Sequence, residues 1–233
     1  MAPPVRSPLE HPVAILSDVH GNRVALEAVL ADLADRGVQD LFVAGDLLLG
    51  GDDPLGTWQL LQQRGARCVR GLSDEALARI DPATLEPSGP EQERSAARFL
   101  ETRQAIGDLV VERLRRLPEQ IRVPLIDGGE LLVRHGAPAD PTVELSHDLD
   151  DDELLALLAG DPADIVACGA SHVPFDRVVA GVRVVNVGSV GQAPEGEVAH
   201  YTILTPRFDG PEVEQRWIAF AGEHAGDGGV TPG

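Results

Sequence analysis

The sequence contains no lysine, and all 19 of its basic residues are arginine. That excludes Schiff-base chemistry and the lysine of a phosphate-binding Walker loop. Cysteine is scarce as well. Cys68 and Cys168 stand alone among apolar neighbours, a pattern of buried free thiols and not of a disulfide framework. Aromatic residues make up 3% of the chain, too few for a base-stacking platform. No apolar run approaches the length of a membrane span, and the opening residues carry no apolar signal core. A cytoplasmic protein without membrane association is therefore expected. Positive charge is outnumbered, with 38 acidic residues and a net charge of −19. A surface of that sign repels nucleic acid, so broad backbone binding is not expected, while a cation site is favoured.

The 233 residues are 43% hydrophobic, enough for a substantial core in one domain. Residues 1–11 are rich in proline and 221–233 in glycine, so both are expected as flexible tails around a domain at 12–220. The run PVAILS (12–17) reads as a buried strand. A helix follows, with Asn22 placed to cap it and Leu26, Val29, Leu30 and Leu33 on one face. Strand DLFVAG (40–45), helix 53–65 and strand ARCVR (66–70) continue the alternation, which predicts parallel strands. Residues 81–93 read as a loop broken by proline and glycine, and 95–117 as a helix with Ile106, Leu109, Val110, Leu114 and Leu117 inward. Two strands then flank the turn Asp127-Gly128-Gly129, a hairpin signal. A short acidic helix near 150–159 and a β-rich end complete the pattern. The reading is an α/β fold with two packed sheets and helices outside.

Four polar clusters follow apolar runs: SDVHGN (17–22), AGDLLLGG (44–51), RHGAP (134–138) and GASHVPF (169–175). Strand ends are where α/β proteins gather their sites. These clusters offer Asp18, His20, Asp46, His135 and His172. Asp18 and His20 would share a face if strand geometry persisted past the run. Two carboxylates and three imidazoles suit a divalent transition metal such as Mn, Fe or Zn. Taken singly, each is weak: a lone histidine is more often structural, and Asp46 alone could be a turn residue. His11, His147, His200 and His224 lie outside the clusters and read as ordinary residues. The acidic run 147–153 lacks the spacing of a calcium loop and reads as a solvated helix start.

As an ordered set, the clusters resemble the calcineurin-like metallophosphoesterases over roughly residues 12–205, and most of all their small bacterial phosphodiesterase-type branch. The family pattern runs D-x-H, G-D, G-N-H-[DE], H and G-H-x-H. Here the first two are DVHGN and GDLLLGG, the fourth is RHGAP, and NVGSVG (186–191) resembles the glycine-serine loop after the last motif. The resemblance implies a four-layer α-β-β-α sandwich of two mixed sheets flanked by helices. Two motifs depart from it. G-N-H-[DE] is Gly71-Leu72-Ser73-Asp74, and G-H-x-H is Gly169-Ala170-Ser171-His172. Leu72 and Ala170 therefore stand where the family has metal ligands, and Ser73 where it has the acid histidine.

Carried over residue by residue, Asp18, His20, Asp46 and His172 hold a first metal tightly. Asp46 and His135 remain for a second, weak or absent. Asp74 would be the surviving orienter of the missing histidine. Asp46, His135 and Asp74 are thus the catalytic candidates, with Arg70 and Asn22 to contact phosphate. Arg70 also reads as a solvated strand-end residue. Asp74, Asp52 or Asp53 could instead reach the vacant ligand position. The implied activity is hydrolysis of a phosphate ester or phosphoanhydride by a metal-activated water. Its partner would be a phosphorylated small molecule or nucleotide. The alternative is a non-catalytic relative that binds a phosphorylated ligand or a partner protein.

Overall fold

The computed structural model describes residues 7–220 and 229–230. The expected tails at 1–6, 221–228 and 231–233 lie outside the described residues. The chain runs β1 (Val13–Leu16), α1 (Arg23–Asp35), β2 (Asp40–Val43), α2 (Pro54–Gln63), β3 (Arg67–Cys68), α3 (Leu72–Arg79), α4 (Pro90–Arg115), β4 (Gln120–Pro124) and β5 (Glu130–Arg134). It continues through α5 (Asp151–Leu158), β6 (Ile165–Cys168), β7 (Phe175–Val179), β8 (Val182–Asn186), β9 (Val198–Thr205), β10 (Glu212–Ala219) and β11 (Gly229–Val230).

The strands form two mixed sheets, ordered β11-β10-β9-β1-β2-β3 and β4-β5-β6-β8-β7. Strand alternation sorts their side chains into layers. Val13 and Ile15 of β1 join Leu131 and Val133 of β5 in a cluster between the sheets. Ala14 and Leu16 face the other way, into a cluster with α1, α2 and α4. Leu132 and Val166 pack outward beneath Leu154 and Leu158 of α5. The fold is thus an α-β-β-α sandwich, with most helices on the first sheet. The hairpin is present: β4 pairs antiparallel with β5, and the Gly128 amide donates to Leu125 O at 3.1 Å.

Four details differ from the sequence reading. Leu9 is buried and its amide donates to Pro124 O at 2.8 Å, so residues just before β1 are anchored. Strand β3 shrinks to Arg67–Cys68. Helix α4 begins at Pro90, where a proline without an amide hydrogen suits the first turn. It also breaks at Gly107, whose φ of 68° is outside helical geometry. The break puts Leu109 out of step, and that side chain is 74% exposed while Ile106, Val110 and Leu114 stay buried.

Strands β1 and β2 run parallel in one sheet, as do β5 and β6 in the other. Their C-terminal ends bring the four polar clusters to one edge of the sandwich. The Asp18 amide donates to Gly45 O at 3.0 Å, the His20 amide to Asp46 O at 2.9 Å, and the Gly169 amide to His135 O at 3.1 Å.

Candidate metal centre

Asp18 and His20 do converge, but not by strand alternation. Strand β1 ends at Leu16, and both residues adopt left-handed backbone, with φ of 53° and 51°. Asp46 (φ 52°) and His172 (φ 61°) do the same after β2 and β6. Left-handed backbone is disfavoured for side chains with a Cβ, and it clusters at functional sites.

Asp18 is fully buried. Its Oδ2 accepts the Ala170 amide at 3.0 Å, while Oδ1 is buried with no hydrogen-bond donor. That oxygen lies 3.2 Å from His172 Nε2 and 3.6 Å from His20 Nε2. Asp46 Oδ1 accepts the Ser73 amide at 2.8 Å, and its Oδ2 lies 3.5 Å from His135 Nε2 and 4.0 Å from His20 Nε2. All five candidate ligands are therefore brought together. Two overlapping groups have ligand-atom spacing: Asp18, His20 and His172, and Asp18, Asp46 and His135. Asp18 thus also reaches the second group, for which the sequence reading had only Asp46 and His135.

The imidazoles report what fits between them. His20 Nδ1 is 2.8 Å from Leu49 O, His135 Nδ1 is 2.9 Å from Ala44 O, and His172 Nδ1 is 3.0 Å from Gln192 O. A carbonyl only accepts, so each neutral ring carries its hydrogen on Nδ1 and turns the Nε2 lone pair inward. His20 Nε2 and His172 Nε2 are 3.2 Å apart. Lone pairs and carboxylate oxygens thus face one another with no donor between them, and a cation resolves the conflict. The donor set, nitrogen and carboxylate oxygen, fits a divalent transition metal.

The same demand appears in the protonation equilibria without metal. Burial works to raise the Asp18 carboxyl, but contacts with His172 and His20 hold it well below the usual carboxylate range. Burial works to lower His20, yet Asp18 raises it above the ordinary value. The Asp18 contact raises His172 too, against burial.

The other expected site residues have different duties. Asp74 does not face the ligands. It is fully buried, its Oδ2 accepts the Gly71 amide at 2.9 Å and its Oδ1 the Leu47 amide at 3.0 Å. Burial and repulsion from Asp46 push its carboxyl up to about 7, against the amide contacts that favour the anion. It braces the loop and supplies no acid to the cleft. Asn22 is a cap: Oδ1 accepts the Ala25 amide at 3.0 Å and Nδ2 donates to Gly191 O at 3.2 Å. Arg70 is held by Glu75 at 2.5 Å and Glu119 at 3.1 Å, which leaves it no free fork for phosphate. Asp53 caps α2 through the Gly56 amide at 2.8 Å, and Asp52 is exposed. Neither fills the vacant ligand position. His11 and His147 are exposed, His200 is buried beside Gly188, and His224 lies outside the described residues.

The sequence reading missed the groups that aim the ligands. Asn186 is fully buried and its Nδ2 donates to Gly169 O at 2.7 Å and to Ser171 Oγ at 2.9 Å. Ser189 Oγ donates to Asp18 O at 2.9 Å. Their sequence signal was the NVGSVG loop itself. The backbone carbonyls of Leu49, Ala44 and Gln192 have no sequence signal, because every residue has a carbonyl. Gly71 is required by close approach: a Cβ there would lie 2.2 Å from Asp46 Oδ1.

Comparison with known proteins identifies the family and supports the fold. A profile of the calcineurin-like phosphoesterase superfamily domain matches residues 12–208. An uncharacterized protein of Methanocaldococcus jannaschii is 27% identical over 201 residues, 79% of this chain and 78% of that one. The crystal structure of a hypothetical protein from Pyrococcus horikoshii superposes with a TM-score of 0.76 at 22% identity, covering 89% of this chain and 87% of that one. A metallophosphoesterase from Sphaerobacter thermophilus gives a TM-score of 0.70 at 23% identity, covering 89% and 88%. The matched span includes every candidate ligand, and the chain belongs to the calcineurin-like phosphoesterase superfamily.

Proposed function

We propose that the chain hydrolyses a phosphate ester or phosphoanhydride, with Asp18, His20, Asp46 and His172 holding one divalent transition metal and His135 beside them. One observation carries this reading: three imidazoles, each with Nδ1 against a backbone carbonyl, turn Nε2 toward two carboxylates, one with a buried oxygen that lacks a hydrogen-bond partner. A divalent metal there supplies charge stabilisation at phosphoryl oxygens and acidifies water. The chain's own residues do the rest. The Leu49, Ala44 and Gln192 carbonyls hold the rings in the ligating tautomer. The Ser73 amide orients Asp46, and the Ala170 amide orients Asp18. His135, buried at the cleft, is the group best placed to meet a substrate oxygen.

No side chain of the 71–74 loop offers a proton to the leaving group. Ser73 Oγ is buried without a partner and Asp74 is turned away. A missing general acid costs on the order of 10² to 10⁴ in rate for poor leaving groups. Activated aryl diesters and phosphoanhydrides should therefore be cut much faster than alkyl esters.

The test combines metal analysis with hydrolysis. Purified protein should hold about one tightly bound transition metal per chain, and Asp18→Ala should lose it along with any turnover of an aryl phosphate diester. Unchanged metal content in that variant would reject the assignment. The exposed Leu72 on the cleft, where the family pattern has a ligand, favours a second reading as a non-catalytic binding protein. That reading requires a broad phosphate panel to stay uncut at saturating metal, whether the centre holds a structural metal or none.

A further inference from the structure

Arg134 ends β5 and directly precedes His135. It is 7% exposed. Arginine is almost never buried to that degree without a partner. Arg134 has none among the described residues: its Nε lacks a hydrogen-bond acceptor, and no carboxylate stands within ion-pair distance. The acids whose fields reach it are occupied, Asp161 by Arg122 and Glu119 by Arg70 at 3.1 Å. Removing the partner of a buried charge is strongly destabilising. A guanidinium whose Nε is buried and unpaired is therefore a standing cost that an anion from outside would offset.

The place fits such an anion. Arg134 lines a cleft of about 180 Å³ with His135, Leu72 and Thr142, and the two carboxylates that line it as well, Glu75 and Glu119, are paired with Arg70. His135 Nε2 points from this cleft toward Asp46 at 3.5 Å, so the cleft adjoins the metal centre. Arg70 borders the same space, but its guanidinium is tied to Glu75, Glu119 and the carbonyls of Arg115 and Leu117. The charge available to a ligand in a chain of net charge −19 is thus Arg134. Its planar fork suits phosphoryl oxygens, and it stays charged at any physiological pH.

We propose that Arg134 binds a second phosphoryl group of the ligand, next to the one held at the metal centre. This rests on the hydrolase reading and narrows it, to substrates with two neighbouring phosphoryl groups in preference to simple monoesters and diesters.

Calorimetric titration of Mn²⁺-loaded protein with methylphosphonate and with methylenediphosphonate, at equal free Mn²⁺, tests it. Arg134→Gln and Arg134→Met should each weaken the diphosphonate about 10- to 100-fold, the worth of a charge-assisted hydrogen bond. Methylphosphonate affinity should not change. Metal-free, ligand-free Arg134→Met should melt no lower than the unsubstituted protein, because no native pair is broken. Equal diphosphonate affinity in the variants would overturn the proposal. So would a lower melting temperature with both phosphonates weakened alike, the result of a structural role. The methylphosphonate arm judges the metal-centre reading separately. If its binding needs no metal and ignores Asp18→Asn, that reading falls, while the ratio of the two phosphonates still decides Arg134.

Discussion

Four of the five candidate ligands share a backbone peculiarity. Asp18, His20, Asp46 and His172 all have φ between 51° and 61°, and such residues cost about 1 to 3 kcal/mol each. Asp and His tolerate this conformation better than most side chains, so ligand chemistry and backbone geometry select the same residue types. Ala170 (φ 72°) has the strain without the chemistry. Ala170→Gly should therefore raise stability by about 1 kcal/mol and leave metal content unchanged, as read by thermal melting and metal analysis. An unchanged or lowered melting temperature would show that the turn is not strained. Protons and metal should also compete. His20 and His172 titrate above the ordinary 6.5 in the metal-free chain. Their raised values give metal-free stability that is full below pH 6.5 and lost as pH rises through the folded value. Metal needs the rings neutral, so its affinity should climb over that same rise. Chemical denaturation and metal titration between pH 6 and 9 should show the two opposite slopes. A metal affinity flat with pH would mean that the rings are not ligands.

At the scale of one element, the segment from Gly71 into α3 is tied to the candidate site although it contributes no candidate ligand side chain. The Ser73 amide grips Asp46, Asp74 ties the Gly71 and Leu47 amides, and Leu72 borders the cleft beside His135. Ligands restored on this frame should meet metal. The combined variant Leu72→Asn, Ser73→His and Ala170→His is expected to bind an additional metal equivalent and gain phosphodiesterase activity. Single changes should do little, because ligands act as a set. Overpacking near Ala170 could cost roughly 1 to 3 kcal/mol, so folding is verified first by circular dichroism. A folded triple variant with no further metal would show that the loop does not present residues 72 and 73 to the centre.

Across the whole molecule, each sheet buries one face against the other sheet and the opposite face under helices, and the parallel strand ends meet along one edge. The packing also encloses both thiols. Burial pushes Cys68 up to about 12 and Cys168 higher still, with Asp74 and Asp18 respectively adding to it. Thiolate, not thiol, reacts with alkylating agents. Native protein at pH 8 should resist iodoacetamide at both positions, and denaturant should make both react. Mass spectrometry reads the result, and rapid labelling of native Cys68 would contradict its placement beneath the helices.

The sequence by itself determined the secondary-structure alternation, the hairpin at Asp127-Gly128-Gly129 and the identity of all five candidate ligands. Those signals are local: hydrophobic period, turn residues, and polar groups just past apolar runs. It also marked Leu72, Ser73 and Ala170 as the positions where the chain departs from the motif it resembles, which needs only a motif and its spacing. The tertiary structure decided what depends on contacts across the fold. It assigned Asn22 to a cap, Arg70 to Glu75 and Glu119, and Asp74 to two backbone amides. It exposed Leu109 through the break at Gly107. It left Arg134, unremarkable in the string RHGAP, buried with an unpaired Nε next to the candidate ligand His135. Whether a charged side chain is free or occupied depends on which distant residues reach it, and chain order does not encode that distance.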